Sequence, residues 1–169
     1  FGEQKEEKFA VHLGLNSNID YQDMYSLNYP AEGLFSLNNG RLGSLDFKDG
    51  QWQGFSGKNL DVIISLDSLT SINKVSMNFY QYINSWIVVP RYVSIMSSKD
   101  SINWEIIKSV DSIGNIKKRR KFISNLSFDS LKIDTKYLKI FAKNYGKLPS
   151  WHEAAGAESW LFIDEIIVK

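Results

Sequence analysis

The chain has 169 residues, about one domain's length, and 43% of them are hydrophobic, enough to bury a core and to argue against disorder. Twenty Lys and Arg against nineteen Asp and Glu leave a formal net charge of +1, too little for a general nucleic-acid binder, whose affinity rests on neutralising phosphates. With no cysteine, a disulfide scaffold, a thiolate zinc site and a cysteine nucleophile are excluded, and two histidines, His12 and His152, are too few for a multi-histidine metal centre.

The chain opens Phe-Gly-Glu-Gln-Lys-Glu-Glu-Lys, with neither an initiator Met nor the apolar run of a signal peptide, and reads as a piece of something longer. Residues 16–55 carry turn chemistry, Asn38-Asn39-Gly40 and Asp49-Gly50, and read as a long loop. The first clear strand follows, with Leu60, Val62, Ile64 and Leu66 on one face and Asp61, Ile63, Ser65 and Asp67 on the other. Val75, Met77 and Phe79 repeat the period of two, as do Leu138, Ile140 and Ala142. Further strands are expected at 92–96, 104–107, 122–128 and 160–168, each rich in β-branched or aromatic residues. Residues 144–159 form a second long loop, and long loops in compact domains are more often functional than accidental. No apolar stretch approaches the roughly 20 residues of a membrane span, so membrane insertion is not expected. The pattern predicts an all-β sandwich of about eight strands in a single domain over 1–169, its core at about 12–168.

An ordered set of motifs then points to a family. Asn28-Tyr-Pro-Ala-Glu-Gly, Leu37-Asn-Asn-Gly-Arg-Leu-Gly-Ser44, Trp52-Gln-Gly-Phe-Ser-Gly57 and Leu60-Asp-Val-Ile-Ile-Ser-Leu66 resemble the first half of a coagulation factor 5/8 type C, or discoidin, domain. Asn84-Ser-Trp-Ile-Val-Val-Pro90 continues the likeness. So does Ser98-Lys-Asp-Ser-Ile-Asn-Trp104, similar to the family's Ser-x-Asp-Gly-x-x-Trp hairpin with Ser101 in place of Gly. Tyr137-Leu-Lys-Ile-Phe-Ala-Lys-Asn144, Pro149-Ser-Trp-His152 and Trp160-Leu-Phe-Ile-Asp-Glu-Ile166 complete it. The combination looks most like the C-terminal module of Bacteroidetes β-N-acetylhexosaminidases of glycoside hydrolase family 20, and it is similar to family 32 carbohydrate-binding modules.

The resemblance implies a discoidin-like, galactose-binding-like jelly roll of antiparallel strands. The segments before and after the strand of Val75 to Phe79, with the loop 144–159, would gather at a sugar-binding end. It also implies a structural calcium ion at Asn39, Ser44 and Glu165, although Asn39 stands where the family often has Asp, which removes a hard carboxylate ligand.

Candidate ligand residues follow from their chemistry. Trp86 offers a face to a sugar ring and Asn84 an amide for its hydroxyls, unless Trp86 serves only to lock a bulge. Trp151 and His152 supply a second ring and a polar handle, while Tyr29 and Arg41 either bond a ligand or brace the first loop. Trp52, Trp104 and Trp160 read as core. The run Lys117-Lys-Arg-Arg-Lys121 could contact polyanions such as sulfated glycans, but reads rather as a solvated hairpin tip at the end away from the ligand. Asp164 and Glu165, adjacent in a strand, face opposite ways and form no glycosidase acid pair, so no catalytic site is expected.

The function expected is therefore a non-catalytic module that holds a parent glycoside hydrolase near glycans, in a bacterial periplasm, at the cell surface or secreted. Its partners would be a glycan or terminal sugar and the parent catalytic domain. The alternative is an accessory domain that packs against that catalytic domain and binds nothing itself. Adhesion to a membrane or protein surface is less favoured, because the first loop shows mostly Asn, Ser, Asp and Tyr rather than apolar spikes.

Overall fold

A computed structural model describes residues 8–111 and 113–169. Nine strands follow one another along the chain: β1 (Asn18–Tyr21), β2 (Gln53–Ser56), β3 (Leu60–Ile72), β4 (Val75–Gln81), β5 (Tyr92–Ser98), β6 (Glu105–Asp111), β7 (Phe122–Phe128), β8 (Ile133–Lys143) and β9 (Trp160–Val168). They form two antiparallel sheets, one of order β1-β3-β8-β5-β6 and one of order β2-β9-β4-β7. The segment read as one long loop thus contains β1 and β2. Each has only four residues, and β2 holds Gly54 and a buried Gln53, so neither shows a period-two signature.

The alternation in β3 is realised: Leu60, Val62, Ile64 and Leu66 are buried, and they pack between the sheets with Val75, Met77, Phe79, Leu138, Ile140, Leu161 and Ile163. Strand β9 is buried almost throughout because it is covered on both faces. Its Leu161 and Ile163 enter the main core, while Phe162 joins Trp52, Tyr80 and Ile87 in a second cluster, against which Tyr29 and Phe47 pack. The first long segment is therefore a cover for the outer face of the four-stranded sheet. Its approach is close: a Cβ on Gly43 would lie 2.3 Å from the Trp52 ring. Trp52 is fully buried, as expected, and burying a ring of this size stabilises the fold by about 3 kcal/mol. Trp160 is half-buried in the same cluster. Trp104 departs from the expectation of a core residue; it precedes β6, an edge strand with one sheet neighbour, and is only half-buried.

Strand direction assigns the loops to ends. Gln81 pairs with Phe122, Ser56 with Trp160, Leu60 with Ala142, and Tyr92 with both Lys143 and Asp111. The β2–β3, β4–β5, β6–β7 and β8–β9 connections consequently share one end, called the tip below. Two expectations change. The turn before β4 lies at the far end, where Asn73 and Lys74 donate to the Lys169 carbonyl. The basic run, which belongs to the β6–β7 connection, lies at the tip rather than away from it.

Candidate functional site

The β4–β5 connection is a tight structure. Tyr82 and Ile87 bridge, a single 3₁₀ turn spans Ile83–Ser85, and Trp86 closes it in the left-handed region at φ 65°, ψ 15°. A left-handed Trp costs about 1–2 kcal/mol, so the surroundings must hold it there. They do: its N–H donates to the Ile83 carbonyl at 3.0 Å, and its carbonyl accepts from Trp160 N at 2.8 Å. The backbone of Trp86 fixes the turn, while its ring remains 40% exposed. Asn84, within the same turn, is exposed, and its Oδ1 accepts from Arg119 Nη1 at 2.9 Å.

The long β8–β9 loop is braced beneath. Asn144 is its hub: Nδ2 donates to the carbonyls of Lys58 (3.0 Å), Ser159 (3.3 Å) and Phe55 (3.4 Å), and Oδ1 accepts from Gly146 N and Ser159 Oγ. His152 is buried, with both ring nitrogens committed. Its Nδ1 accepts from Ala154 N at 2.9 Å, which leaves the proton on Nε2 to donate to the Ile83 carbonyl at 2.8 Å. It docks this loop onto the Ile83–Ser85 turn. Next to it Trp151 is 42% exposed, with the Arg119 guanidinium 5.7 Å from its ring centre. Arg119 also pairs with Glu153, Nη2 to Oε1 at 2.9 Å.

The tip thus joins Asn84, Trp151 and His152 through Ile83 and Arg119, with Trp86 at the end of the same turn. Arg119, which holds the two loops together, escaped the reading of its segment as a solvated tip. Counting the alternating directions of seven expected strands would have placed it. Tyr29 belongs to a neighbouring surface, its ring edge-on to Trp160 at 5.2 Å and 4.8 Å from Phe162, beside a shallow pocket of about 260 Å³ shared with Phe47 and Trp52. Arg41 is elsewhere, paired with Glu32 at 3.4 Å and bridged to Phe9.

The two acids of β9 do face opposite ways. Asp164 accepts from Gly43 N at 3.0 Å and Asn78 Nδ2 at 3.1 Å, pinning the cover loop, and burial pushes its carboxyl up to about 7 despite these donors. Glu165 points to His12, Oε1 to Nε2 at 3.5 Å. Burial raises the Glu165 carboxyl to about 8, and burial together with Lys169 lowers the His12 imidazole to about 4. The Gly40 and Arg41 amides approach the Glu165 carboxylate without a well-aligned hydrogen bond.

Of the three residues that the resemblance assigns to calcium, only Glu165 has side-chain oxygens free of hydrogen bonds. Asn39 Oδ1 accepts from Arg41 N at 2.9 Å, and Ser44 donates both N–H and Oγ–H to Asp49 Oδ2, each at 2.7 Å. The Asn39 and Ser44 side chains would have to exchange those bonds to join Glu165 around an ion. Among the described residues, no group of three or more His, Cys, Asp or Glu is arranged to hold a metal.

No protein-family model and no curated protein matches the chain. Solved structures do match in fold. The module CpGH89CBM32-4 of Clostridium perfringens is similar with a TM-score of 0.57 at 13% identity, over 94% of this chain and 98% of that one. The same module in complex with GlcNAc-α-1,4-galactose gives 0.54 at 14% identity, covering 99% and 100%. A fucose-binding module of Streptococcus pneumoniae gives 0.56 at 12% identity, over 94% of each chain. The two-sheet antiparallel sandwich is therefore of the discoidin-like type found in family 32 carbohydrate-binding modules.

Proposed function

We propose that the chain is a non-catalytic carbohydrate-binding module that keeps a parent glycan-active enzyme at its substrate, with the tip as the sugar site. The observation that carries this reading is the pair of part-exposed rings, Trp86 and Trp151, on a loop scaffold braced by His152 and Asn144. Flat apolar faces stack on sugar rings, and the nearby Asn84 amide and Arg119 guanidinium supply bonds to hydroxyls. Tyr29 and Arg41 are assigned to bracing the cover loop. Similar structures agree in kind: the Clostridium perfringens module is bound to GlcNAc-α-1,4-galactose, and a family 32 module of AlyQ to 4,5-unsaturated mannuronic acid. Weak affinity suffices for a tethered enzyme, which gains effective concentration instead.

The finer reading, a parent β-N-acetylhexosaminidase of family 20 in a bacterial periplasm, at the cell surface or secreted, rests on the motif resemblance. No calcium ion enters the binding proposed. A glycan-array screen of the purified chain tests the function: one or more sugars should be retained, and retention of none would remove it.

A second reading has its own support. Leu27 is 88% and Phe35 71% exposed, with Leu34 half-exposed beside Phe35 on the cover loop. Apolar residues displayed in this way suit packing against a catalytic domain, as an accessory domain would. Substituting Leu27 and Phe35 by Ser should leave glycan retention intact if the two roles use different surfaces.

A further inference from the structure

Five consecutive cations, Lys117 to Lys121, sit at the tip, and their side chains divide between two surfaces. Arg119 turns to Glu153, Asn84 and the Trp151 ring. Arg120 and Lys121 instead line a cleft of about 870 Å³ between the 42–51 loop and the start of β7, together with Lys8. Its apolar walls include Leu45, which is exposed, and Phe122. Lys121 also stands 5.7 Å from the Tyr82 ring, at the base of the Ile83–Ser85 turn. The basic run therefore forms a continuous edge from the Trp151 ring into the cleft.

The charges along this edge are unevenly answered. Arg119 has its carboxylate, but no ion pair among the described residues includes Lys8, Arg120 or Lys121. Two acids also line the cleft. Asp49 spends its oxygens on Ser44 N, Ser44 Oγ and Gln51 N, and Asp46 Oδ1 accepts from Lys48 N. Lys8, Arg120 and Lys121 thus meet two carboxylates in the cleft. A chain of net charge +1 has no general surplus of positive charge, so the concentration of cations here is local.

We propose that the glycan read by this protein is acidic, its carboxylate or sulfate groups held by Lys8, Arg120 and Lys121 along the cleft while its sugar rings stack at the tip. This rests on the carbohydrate-binding reading above and narrows it to a substrate class. Three part-exposed charge contacts amount to roughly 3- to 150-fold in affinity, with strong dependence on salt.

The test is calorimetric titration of the whole chain with oligogalacturonate and with chondroitin sulfate, each beside its neutral form, carboxyl-reduced or desulfated, at low and high salt. Tighter binding of one acidic probe, by about tenfold and reduced by salt, is the expected result. The arm that responds identifies carboxylate or sulfate as the group read. The triple variant Lys8→Gln, Arg120→Gln, Lys121→Gln should abolish the preference. Leu45→Asp, which places a negative charge on the exposed cleft wall, provides an independent check and should weaken only the acidic probe. Equal binding of acidic and neutral forms overturns the inference and leaves the glycan reading standing. Equal binding of duplex DNA also overturns it, by showing generic polyanion attraction. If neither these probes nor any arrayed glycan binds, both readings fall together.

Discussion

The two ends of the sandwich are closed by different means. At the far end, the connections of residues 73–74, 99–104 and 129–132 are short; 73–74 is tied through backbone bonds to Lys169 and Leu131, and the 99–104 hairpin satisfies itself locally. In the 99–104 hairpin, the Asp100 carboxylate accepts from Ile102 N, Asn103 N, Asn103 Nδ2 and Ser98 Oγ, which holds it well below the usual carboxylate range. At the tip, side chains carry bonds between loops far apart in sequence: Asn144 reaches Phe55 and Lys58, His152 reaches Ile83, and Arg119 reaches Asn84 and Glu153. Local bonds fix a turn and leave it inert. Long-range bonds hold several loops as one body, on which part-exposed rings keep a defined orientation, as a binding surface requires.

Breaking the tip's hub should have the largest effect. Asn144→Ala strands several buried backbone groups at once and should cost about 3 kcal/mol of stability, lowering Tm in calorimetry by on the order of 10 °C. A change below about 1 kcal/mol would mean that the tip loops hold without it. Trp151→Ala sharpens the same contrast from the other side. The ring is part-exposed, so stability should change by less than about 1 kcal/mol, while affinity for a retained sugar falls by about 5- to 150-fold.

Asp100→Ala should act less strongly, loosening the far hairpin and leaving sugar binding untouched. Its folded pKa is depressed, so its stabilisation is present above the ordinary carboxylate pKa near 4 and is lost as pH falls through the folded value. Acid melts of wild type and variant should converge below about pH 4, and a gap that widens there would contradict the assignment. The smallest effect expected is none: excess chelator should leave Tm unchanged, because Asn39 and Ser44 are bonded to other groups. A fall of several degrees would mean that they exchange those bonds for an ion.

The sequence made one class of feature legible and hid another. Strand β3 could be read because one of its faces is buried and its residues alternate accordingly, and Trp52 because it stands in Trp-Gln-Gly-Phe just ahead of the first clear strand. Strands β1 and β2 could not, since four residues carry too little periodicity and β2 buries a Gln. At the site, Trp86 and Trp151 stood out as large rings in loops. The bracing role of His152 did not, because a histidine one residue from an exposed Trp gives no sign that its ring is turned inward toward Ile83. The basic run resembled any solvated charge cluster. Only the direction of the strands on either side of it shows that it meets the β4–β5 and β8–β9 loops.

The most direct test is titration of the best-retained sugar from the array into wild type and into a Trp86→Ala, Trp151→Ala double variant, with melting curves recorded on both. The account predicts a saturable isotherm for wild type and none for the variant, which should still melt cooperatively. Undiminished sugar binding by a folded double variant would contradict it and place the site away from the tip.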